Sequence, residues 1–287
     1  MTEQYDVLII GGGAAGISAA KTLWLSGCRS IAIIEHKPSL GGILLQCAHT
    51  GFGADLDGRD YAETLLMDFP KDIPCFCSTT VIRLFPDRSA LLSNGHIIRF
   101  RLLILATGCR EIPFGSLPVT GTRPSGVFTA GQMQEMVNCH HYLPEGPAVI
   151  LGSGDIGLIM AWQLLELGLK VTVVEKESHM TGLPVNRARL TGRDICFLPG
   201  TTILEIKGMP SLSGVTLSDG LFIPCRLLLS AVGLLPQREL LEGRKIPDWI
   251  LPAGNCSHIH SRIESVIKEG ASTAVKVLSL LDRAPSI

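Results

Sequence analysis

Apolar residues occur along this chain in short uninterrupted runs, which alternate with glycine-rich turns and with stretches of helical period. The first run, residues 5–10, ends in three consecutive glycines and leads into apolar positions spaced as on a helix over 14–26. A second run at 30–35 ends in an acid, Glu35. Short runs that are apolar throughout are typical of strands buried on both faces of a sheet. The pattern therefore predicts a strand, a helix and a second, parallel strand.

The same order of elements returns in the second half of the chain. A strand is predicted at 148–151, a helix at 156–167, and a strand at 171–175 that again ends in an acid, Glu175. Each half continues with short strands separated by turn signals and closes with an apolar run followed by small residues. These further strands are predicted at 78–84, 89–92, 96–101 and 102–105 in the first half, and near Ile203, near Val215 and at 227–232 in the second.

A Gly-x-Gly-x-x-Gly pattern lies at each of the two strand-to-helix turns. Glycine at these positions allows a tight turn and lets backbone N–H groups approach a pyrophosphate at the positive end of the helix. Glu35 and Glu175 follow the last glycine by about 20 residues, where a carboxylate accepts hydrogen bonds from ribose hydroxyls. Each unit is therefore predicted to bind one dinucleotide. The glycines are Gly11, Gly13 and Gly16, and Gly152, Gly154 and Gly157.

The C-terminal segment is too short to form a domain by itself. It contains one short strand at 249–255 and one helix at 264–281. We expect this strand and helix to complete the first domain. The predicted fold is thus α/β, with two Rossmann-like dinucleotide-binding domains, the second inserted in the first. The predicted boundaries are 1–120 with 245–287 for the first domain and 121–244 for the inserted one.

Composition narrows the classes of partner. A net charge of −1, from 25 basic and 26 acidic residues, gives no electrostatic footprint for nucleic acid or an anionic membrane. No apolar run reaches the roughly 18 residues that a membrane span needs. Nine cysteines, an odd number without a Cys-x-x-Cys pair, suit a reducing compartment. We expect a cytoplasmic protein, and no metal site, because His258 and His260 have no carboxylate nearby in the sequence.

Beyond these patterns, the chain resembles the flavoproteins with two dinucleotide-binding domains, a superfamily that includes thioredoxin and glutathione reductases. Ala106, Thr107 and Gly108 resemble the strand end of the FAD domain, and Gly254 and Asn255 stand where that superfamily carries Gly-Asp. Three stretches resemble a narrower group, the NAD/FAD-dependent oxidoreductase subunits that accompany anaerobic glycerol-3-phosphate dehydrogenases, and more distantly subunits of opine, proline and cyanide-forming amino acid dehydrogenases. These stretches are 41–53, 122–131 and 152–161.

The resemblance implies an FAD site in the first domain and an NAD(H) site in the second. The residues expected at FAD are Gly11, Gly13, Ala14, Ala15, Gly16, Glu35, His36, Gly42, Ile43, Gln46, Ala106, Thr107, Gly108, Gly254 and Asn255. The residues expected at NAD(H) are Gly152, Gly154, Asp155, Ile156, Gly157, Glu175, Val232 and Gly233. NADP(H) is the less favoured nucleotide, because the Glu175 carboxylate would repel a 2′-phosphate, although Lys176 follows it.

The redox dithiol of the disulfide reductases has no counterpart in the sequence. Their spacing after Gly42 falls on Leu44 and His49, and Cys139 stands alone before the second glycine pattern. Hydride transfer between nicotinamide and flavin therefore remains as the expected chemistry. Cys47 and His49 lie in the loop that the resemblance places near the flavin, and they are the candidate catalytic residues.

Three functions stay open on the sequence alone. In the first, the chain is the NAD-facing electron-transfer subunit of a multi-subunit dehydrogenase of the glycerol-3-phosphate or amino acid/opine type. Its partner subunit would carry a flavin or an iron-sulfur centre, and the assembly would be a hetero-oligomer. The second is a stand-alone NADH oxidase or peroxidase that uses Cys47. The third is a non-catalytic scaffold that binds dinucleotides.

Overall fold

The computed structural model describes residues 3–243 and 245–281. The chain divides into two compact units, Met1–Arg110 with Pro236–Ile287 and Glu111–Leu235. The terminal residues 1–2 and 282–287 of the predicted first domain lie outside the described residues. Both boundaries of the second unit lie about ten residues earlier in the sequence than predicted. Phe114 and Val119 are buried in the core of the second unit, whereas Leu241 is buried in the core of the first.

The secondary structure is numbered in chain order. The strands are β1 (Glu3–Ile10), β2 (Ile31–Ile34), β3 (Cys75–Phe76), β4 (Val81–Phe85), β5 (Ser89–Leu92), β6 (Ile97–Leu105), β7 (Cys109–Glu111), β8 (Thr120–Gly121), β9 (Val127–Thr129), β10 (Ala148–Leu151), β11 (Val171–Glu175), β12 (Ile195–Pro199), β13 (Ile203–Gly208), β14 (Leu212–Leu217), β15 (Phe222–Pro224), β16 (Leu227–Ser230), β17 (Leu234–Pro236) and β18 (Ile250–Pro252). The α-helices are α1 (Ala14–Leu25), α2 (Gly58–Leu66), α3 (Ala130–His140), α4 (Asp155–Glu166), α5 (Pro184–Ala188) and α6 (Ile263–Leu281). Short 3-10 helices span Gly42–Gln46, Phe114–Ser116, Glu239–Leu241 and Gly254–Cys256.

The first unit is built on one sheet with the strand order β3-β2-β1-β6-β5-β4, and β18 pairs with the second half of β6. The strands β1, β2, β3, β6 and β18 run parallel, while β4 and β5 form an antiparallel extension. Val7 and Ile9 on one face pack against α1 and α6, and Leu8 and Ile10 on the other pack against residues that include Phe100. Burial on both faces explains why β1 is apolar throughout its second half.

The helices α1 and α6 cover one face of this sheet and meet closely. A Cβ atom on Gly270 of α6 would lie 2.3 Å from the carbonyl oxygen of Ala15 in α1, so only glycine permits this approach. The C-terminal helix therefore belongs to the first unit, as predicted from its length and from the strand before it. The strand β18 brings the chain back beside β6.

The second unit repeats the parallel plan in a five-stranded sheet with the order β12-β11-β10-β16-β9. The helices α3 and α4 contribute to one core, which contains Ile150 of β10. Val149 and Leu151, on the opposite face of β10, pack against a second, four-stranded sheet of the order β15-β14-β13-β8. All four residues of β10 are buried, which accounts for its uninterrupted apolar sequence.

Several predicted elements differ in detail. The runs 96–101 and 102–105 form one strand, β6, because its first half pairs with β5 and its second half with β18. The strand predicted at 249–255 ends at Pro252, and the strand predicted at 227–232 ends at Ser230. Helices α2, α3 and α5 were not predicted.

Candidate functional site

Two glycines of the first unit are required by the packing of the turn between β1 and α1. Gly11 has φ +105°, and a Cβ atom there would lie 2.3 Å from the carbonyl oxygen of Ala106. A Cβ atom on Gly16 would lie 1.9 Å from the carbonyl oxygen of Gly11. The turn therefore passes directly against the end of β6, which only glycine allows.

Gly13 has no such requirement from the protein itself. Its φ of −80° suits any residue, and a Cβ atom there would lie 3.8 Å from its nearest neighbour, the Cα atom of Gly42. Gly13 is the N-cap of α1, and no side chain of the described residues caps it. The positive end of the helix thus opens onto free space, where a phosphate can be bound by backbone N–H groups.

The second unit repeats this division of roles. Gly152 has φ +102°, and its Cβ atom would lie 2.5 Å from the carbonyl oxygen of Ala231; that of Gly157 would lie 2.4 Å from the carbonyl oxygen of Gly152. Gly154, the N-cap of α4, has φ −67°, and apart from its chain neighbours no heavy atom of the described chain lies within 4 Å of a Cβ position. Two turns with the same arrangement of glycines, residues 11–13 and 152–154, therefore precede α1 and α4, and we call them the first and second cradle.

A buried carboxylate supports the first cradle. Glu35 is 3% exposed, and its Oε2 accepts a 2.7 Å hydrogen bond from the backbone N–H of Gly12. Its Oε1 accepts a 2.7 Å bond from the backbone N–H of Lys37 and lies 2.9 Å from Nδ1 of His36, which is exposed. The acid at the end of β2 is thereby fixed beside the glycine turn.

Glu175 occupies the corresponding place in the second unit and is 5% exposed. Its Oε2 accepts hydrogen bonds from both the backbone N–H and the hydroxyl of Ser153, at 2.7 and 2.6 Å, and its Oε1 accepts one from the N–H of Glu177 at 3.0 Å. Burial by itself would raise the pKa of Glu175, but these hydrogen bonds outweigh it and hold the pKa below its ordinary value. The carboxylate is therefore ionised at neutral pH.

Further residues predicted at FAD lie around the first cradle. Gly42 faces Gly13, since a Cβ atom on Gly42 would lie 2.8 Å from the Cα atom of Gly13. Gly254 faces the side chain of Ala15 in the same way, at 2.7 Å. Ala14 begins α1 and is buried. Two more residues lie on the 3-10 helix after Gly41: Ile43, which is exposed, and Gln46, which is buried.

The end of β6 and the 3-10 helix after β18 are joined by side-chain contacts. The Thr107 hydroxyl donates a 2.5 Å hydrogen bond to the carbonyl oxygen of Gln237 and lies 3.3 Å from Sγ of Cys256. Cys109 directly follows Gly108 in the sequence, and its Sγ atom lies 3.6 Å from the side-chain amide of Asn255. The sequence indicated Thr107, Gly108 and Asn255, but Cys109, Gln237 and Cys256 carried no local signal.

The two candidate catalytic residues lie in the same loop with different surroundings. Cys47 is 8% exposed, and its thiol donates to the carbonyl oxygen of Ile43 at 3.3 Å. The backbone of α2 packs against it, since a Cβ atom on Gly58 would lie 2.6 Å from the Cβ atom of Cys47. His49 is half-buried, with its ring centroid 5.2 Å from that of Phe52.

In the second unit, the residues predicted at NAD(H) lie at the turn and at the end of β16. Asp155 begins α4, but its Oδ1 accepts bonds from the Leu183 N–H and the Asn186 amide, at 2.7 and 2.8 Å. Asp155 thus positions the start of α5. Ile156 is half-buried in the first turn of α4, and Val232 and Gly233 follow β16. The hydroxyl of Ser153 was not predicted, because the pattern reads only the glycines around it.

The structure shows a contact at the two histidines that the sequence did not predict. His258 and His260 have a carboxylate beside them, because α6 places Glu269 against both rings. Nε2 of His260 lies 2.6 Å from Oε2 of Glu269, and Nδ1 of His258 lies 3.5 Å from its Oε1. The sequence did not predict this contact, because the histidines lie in a loop and Glu269 lies in the following helix.

The fold and its two cradles define a two-domain nucleotide-binding protein. Residues 5–248 match the model of the pyridine nucleotide-disulphide oxidoreductase family, and the chain belongs to this family. Homologues in the family are FAD-dependent oxidoreductases that bind FAD and NAD(P)H. Family membership thus confirms the predicted fold class, the prediction of an FAD-dependent oxidoreductase, and the prediction of FAD and a nicotinamide nucleotide as cofactors.

Individual proteins are similar over part of their length. An opine oxidase subunit of Agrobacterium tumefaciens (strain Ach5) is 28% identical over 188 residues, which cover 59% of this chain and 36% of that protein. Hydrogen cyanide synthase subunit HcnB of Pseudomonas protegens (strain DSM 19095 / LMG 27888 / CFBP 6595 / CHA0) is 28% identical over 224 residues, 74% of this chain and 46% of that protein. The chain spans between about a third and about half of the first curated relatives it matches.

Among solved structures, thioredoxin reductase from T. acidophilum superposes with a TM-score of 0.79 at 22% identity, covering 96% of this chain and 98% of that one. This likeness shows the fold. In the described part of the chain, no helix combines the length and apolar character needed to cross a bilayer.

Replacing Gly13 tests the first cradle. We expect Gly13→Val to fold but to purify without flavin, because its backbone angles accept valine while the side chain fills the open space before α1. Flavin absorbance per protein and far-UV circular dichroism measure the two effects. Gly154→Val is the matched control and should remain yellow. A Gly13→Val protein with full flavin content would show that the pyrophosphate does not bind at this turn.

Proposed function

We propose that this chain is an FAD-dependent oxidoreductase that transfers hydride between NAD(H) and bound FAD, and that it serves as the NAD-facing subunit of a larger dehydrogenase. The observation that carries the proposal is the pair of matched cradles. Each has an open glycine, Gly13 or Gly154, before a helix and a buried acid, Glu35 or Glu175, fixed beside the turn. One cradle would serve a single-nucleotide protein, whereas two suit an exchange between nucleotides.

The residues of each unit have a distinct task in this proposal. In the first unit, Gly13 and the N-terminus of α1 bind the FAD pyrophosphate, and Glu35 binds the adenosine ribose. In the second, Gly154 and Glu175 do the same for NAD(H). When bound, FAD supplies the chemistry of accepting hydride and passing its electrons onward. The protein contributes binding, orientation and exclusion of water.

The charge of Glu175 supports NAD(H) over NADP(H). Its carboxylate is ionised and fixed by three hydrogen bonds, so it cannot turn away from a 2′-phosphate without losing them. Lys176 is 79% exposed, and its ammonium group lies 3.8 Å from the carboxylate of Glu177. The negative charge of Glu177 partly compensates the positive charge of Lys176. The acid in this position therefore favours a free ribose hydroxyl.

We expect NADH to reduce the bound flavin with a kcat/KM at least about tenfold above that of NADPH, since a like-charge contact costs more than about 1.4 kcal/mol. Stopped-flow absorbance of the flavin band gives both rates. Gly154→Val should keep its flavin and slow reduction by NADH about 100-fold through misplacement of the nicotinamide. Gly115→Val, at an exposed glycine with similar free space, is the control. Faster reduction by NADPH would reject the assignment of Glu175.

Cys47 bears on the alternative of a stand-alone oxidase or peroxidase. A peroxidatic thiol must be accessible and ionised, whereas the Cys47 thiol is buried and donates its proton to a carbonyl oxygen. These surroundings favour a structural role in the loop. His49 remains a candidate for contact with the flavin or with an electron acceptor.

We therefore expect Cys47→Ala to retain at least about half of the NADH-dependent dye reduction, because hydride transfer needs no thiol. Cys225→Ala, which removes a buried thiol from the second unit, controls for loss of packing. Steady-state rates and flavin content of both variants give the comparison. Loss of turnover in Cys47→Ala alone, with flavin bound, would instead support the oxidase or peroxidase.

The subunit role is supported by the names of two similar proteins, which are hydrogen cyanide synthase subunit HcnB and the Agrobacterium opine oxidase subunit. In this proposal the partner subunit selects the substrate and carries a further flavin or an iron-sulfur centre. The reducing cytoplasm is the proposed location, which suits a chain with nine cysteines and no Cys-x-x-Cys pair. A scaffold without catalysis would bind nucleotides but would not transfer electrons.

The isolated chain should reduce artificial dyes with NADH, yet leave glycerol-3-phosphate and amino acids unoxidised until its partner is added. The reason is that both nucleotide cradles belong to this chain, while substrate selection belongs to the partner. Flavin stoichiometry, dye reduction and substrate-dependent NAD reduction distinguish the possibilities. Substrate-dependent NAD reduction by the chain alone would contradict the subunit role, and a flavin-loaded protein without dye reduction would favour the scaffold.

A further inference from the structure

Three side chains of metal-binding type gather after β18 in the first unit. His258 and His260 lie in the loop that follows the 3-10 helix Gly254–Cys256, and Glu269 projects from α6. One nitrogen from each ring and one oxygen of the carboxylate all lie within 4.8 Å of one another. The two ring centroids are 4.0 Å apart.

The loop that carries both histidines is fastened at several points. The backbone N–H of His260 donates to Oδ1 of Asn255 at 3.0 Å, and that of His258 donates to the carbonyl oxygen of Gly254 at 3.3 Å. Arg238 donates to the carbonyl oxygen of Cys256 at 2.6 Å and to that of Ser257. The ligand atoms are therefore presented by an ordered segment.

The third ligand is held by the packing of α6. Glu269 precedes Gly270, whose close approach to α1 fixes this turn of the helix against Ala15. The carboxylate is 19% exposed and the His260 ring 12% exposed, whereas His258 is 63% exposed. Glu269 and His260 are thus largely buried, whereas His258 is exposed to solvent.

The donor set and spacing suit a transition-metal ion. Two imidazoles and one carboxylate match zinc, iron, cobalt or nickel, while magnesium and calcium prefer oxygen ligands alone. With bonds of about 2.1 Å, neighbouring ligand atoms of a metal lie roughly 3.0–3.5 Å apart. The Glu269 carboxylate lies 2.6 Å from the His260 ring and 3.5 Å from the His258 ring, close to this range, so a small shift of the carboxylate would complete the spacing.

We propose that His258, His260 and Glu269 bind one divalent transition-metal ion, with the remaining coordination positions open to water. A simple ion pair would need only His260 and Glu269, but the second ring lies against the same carboxylate. Three protein ligands with open positions are typical of exchangeable or reactive metal sites rather than closed structural ones. The site shares its loop with Gly254 and Asn255, which are expected at FAD, but its three ligands are not among the residues expected at either nucleotide.

Cobalt(II) provides a direct test with the whole chain. We expect one equivalent of Co²⁺ to produce visible d–d absorption typical of nitrogen and oxygen ligands, and to be displaced by Zn²⁺. His258→Gln and Glu269→Gln should each weaken binding by about 10–100-fold or more. His258 is exposed and Glu269→Gln preserves side-chain size, so both variants should fold, which circular dichroism and flavin content verify. His96→Gln, at an exposed histidine in the turn before β6, is the matched control.

Thermal unfolding gives a second readout, since an ion that binds only the folded state raises the melting temperature. Co²⁺ should stabilise the wild-type protein and His96→Gln, but neither ligand variant. Equal Co²⁺ binding by the wild type and by the His258→Gln/Glu269→Gln double variant would overturn the proposal. Absence of Co²⁺ binding by the wild type would likewise overturn it and leave an ion pair only.

Discussion

The shape of each nucleotide cradle depends on a buried carboxylate that ends the second strand and accepts hydrogen bonds from the turn after the first. Glu35 binds the N–H of Gly12, and Glu175 binds the N–H and hydroxyl of Ser153. Removing either acid would leave backbone donors buried without their acceptor, at a cost of about 1–3 kcal/mol for each group. The acids proposed to bind ribose are therefore also the ones that hold the turn, so binding and folding are linked at these residues.

The glycines of the two patterns serve different purposes, which the sequence pattern does not separate. Gly11 and Gly16 are needed because neighbouring backbone atoms leave no room for a Cβ atom. Gly13 and Gly154 have both room and ordinary backbone angles. At these positions the protein's own packing supplies no reason for glycine, whereas a phosphate close to the backbone supplies one. The structure thus separates the glycines that the fold requires from the glycines that we propose for phosphate binding.

The paired strand-helix-strand units were predictable because their signals are local: apolar runs, glycine turns and acids at strand ends. Some missed elements also had local signals. Asp57 caps α2 by accepting from the N–H of Asp60, and Thr129 and Gln132 form a capping box at the start of α3. By contrast, the contact of Glu269 with two histidines depends on how α6 packs, and no spacing in the sequence encodes it.

Two buried cysteines, Cys225 and Cys256, have surroundings that do not suit a redox thiol. Burial raises the pKa of the Cys225 thiol to about 12. Burial also raises the pKa of the Cys256 thiol, although the hydrogen bond from Thr107 and the positive charge of Arg238 act in the opposite direction. Since the thiolate is the reactive form, both remain inert at neutral pH. In the proposed function, the reduced flavin passes its electrons directly to an acceptor without a thiol relay, and a partner subunit with its own redox centre would supply that acceptor.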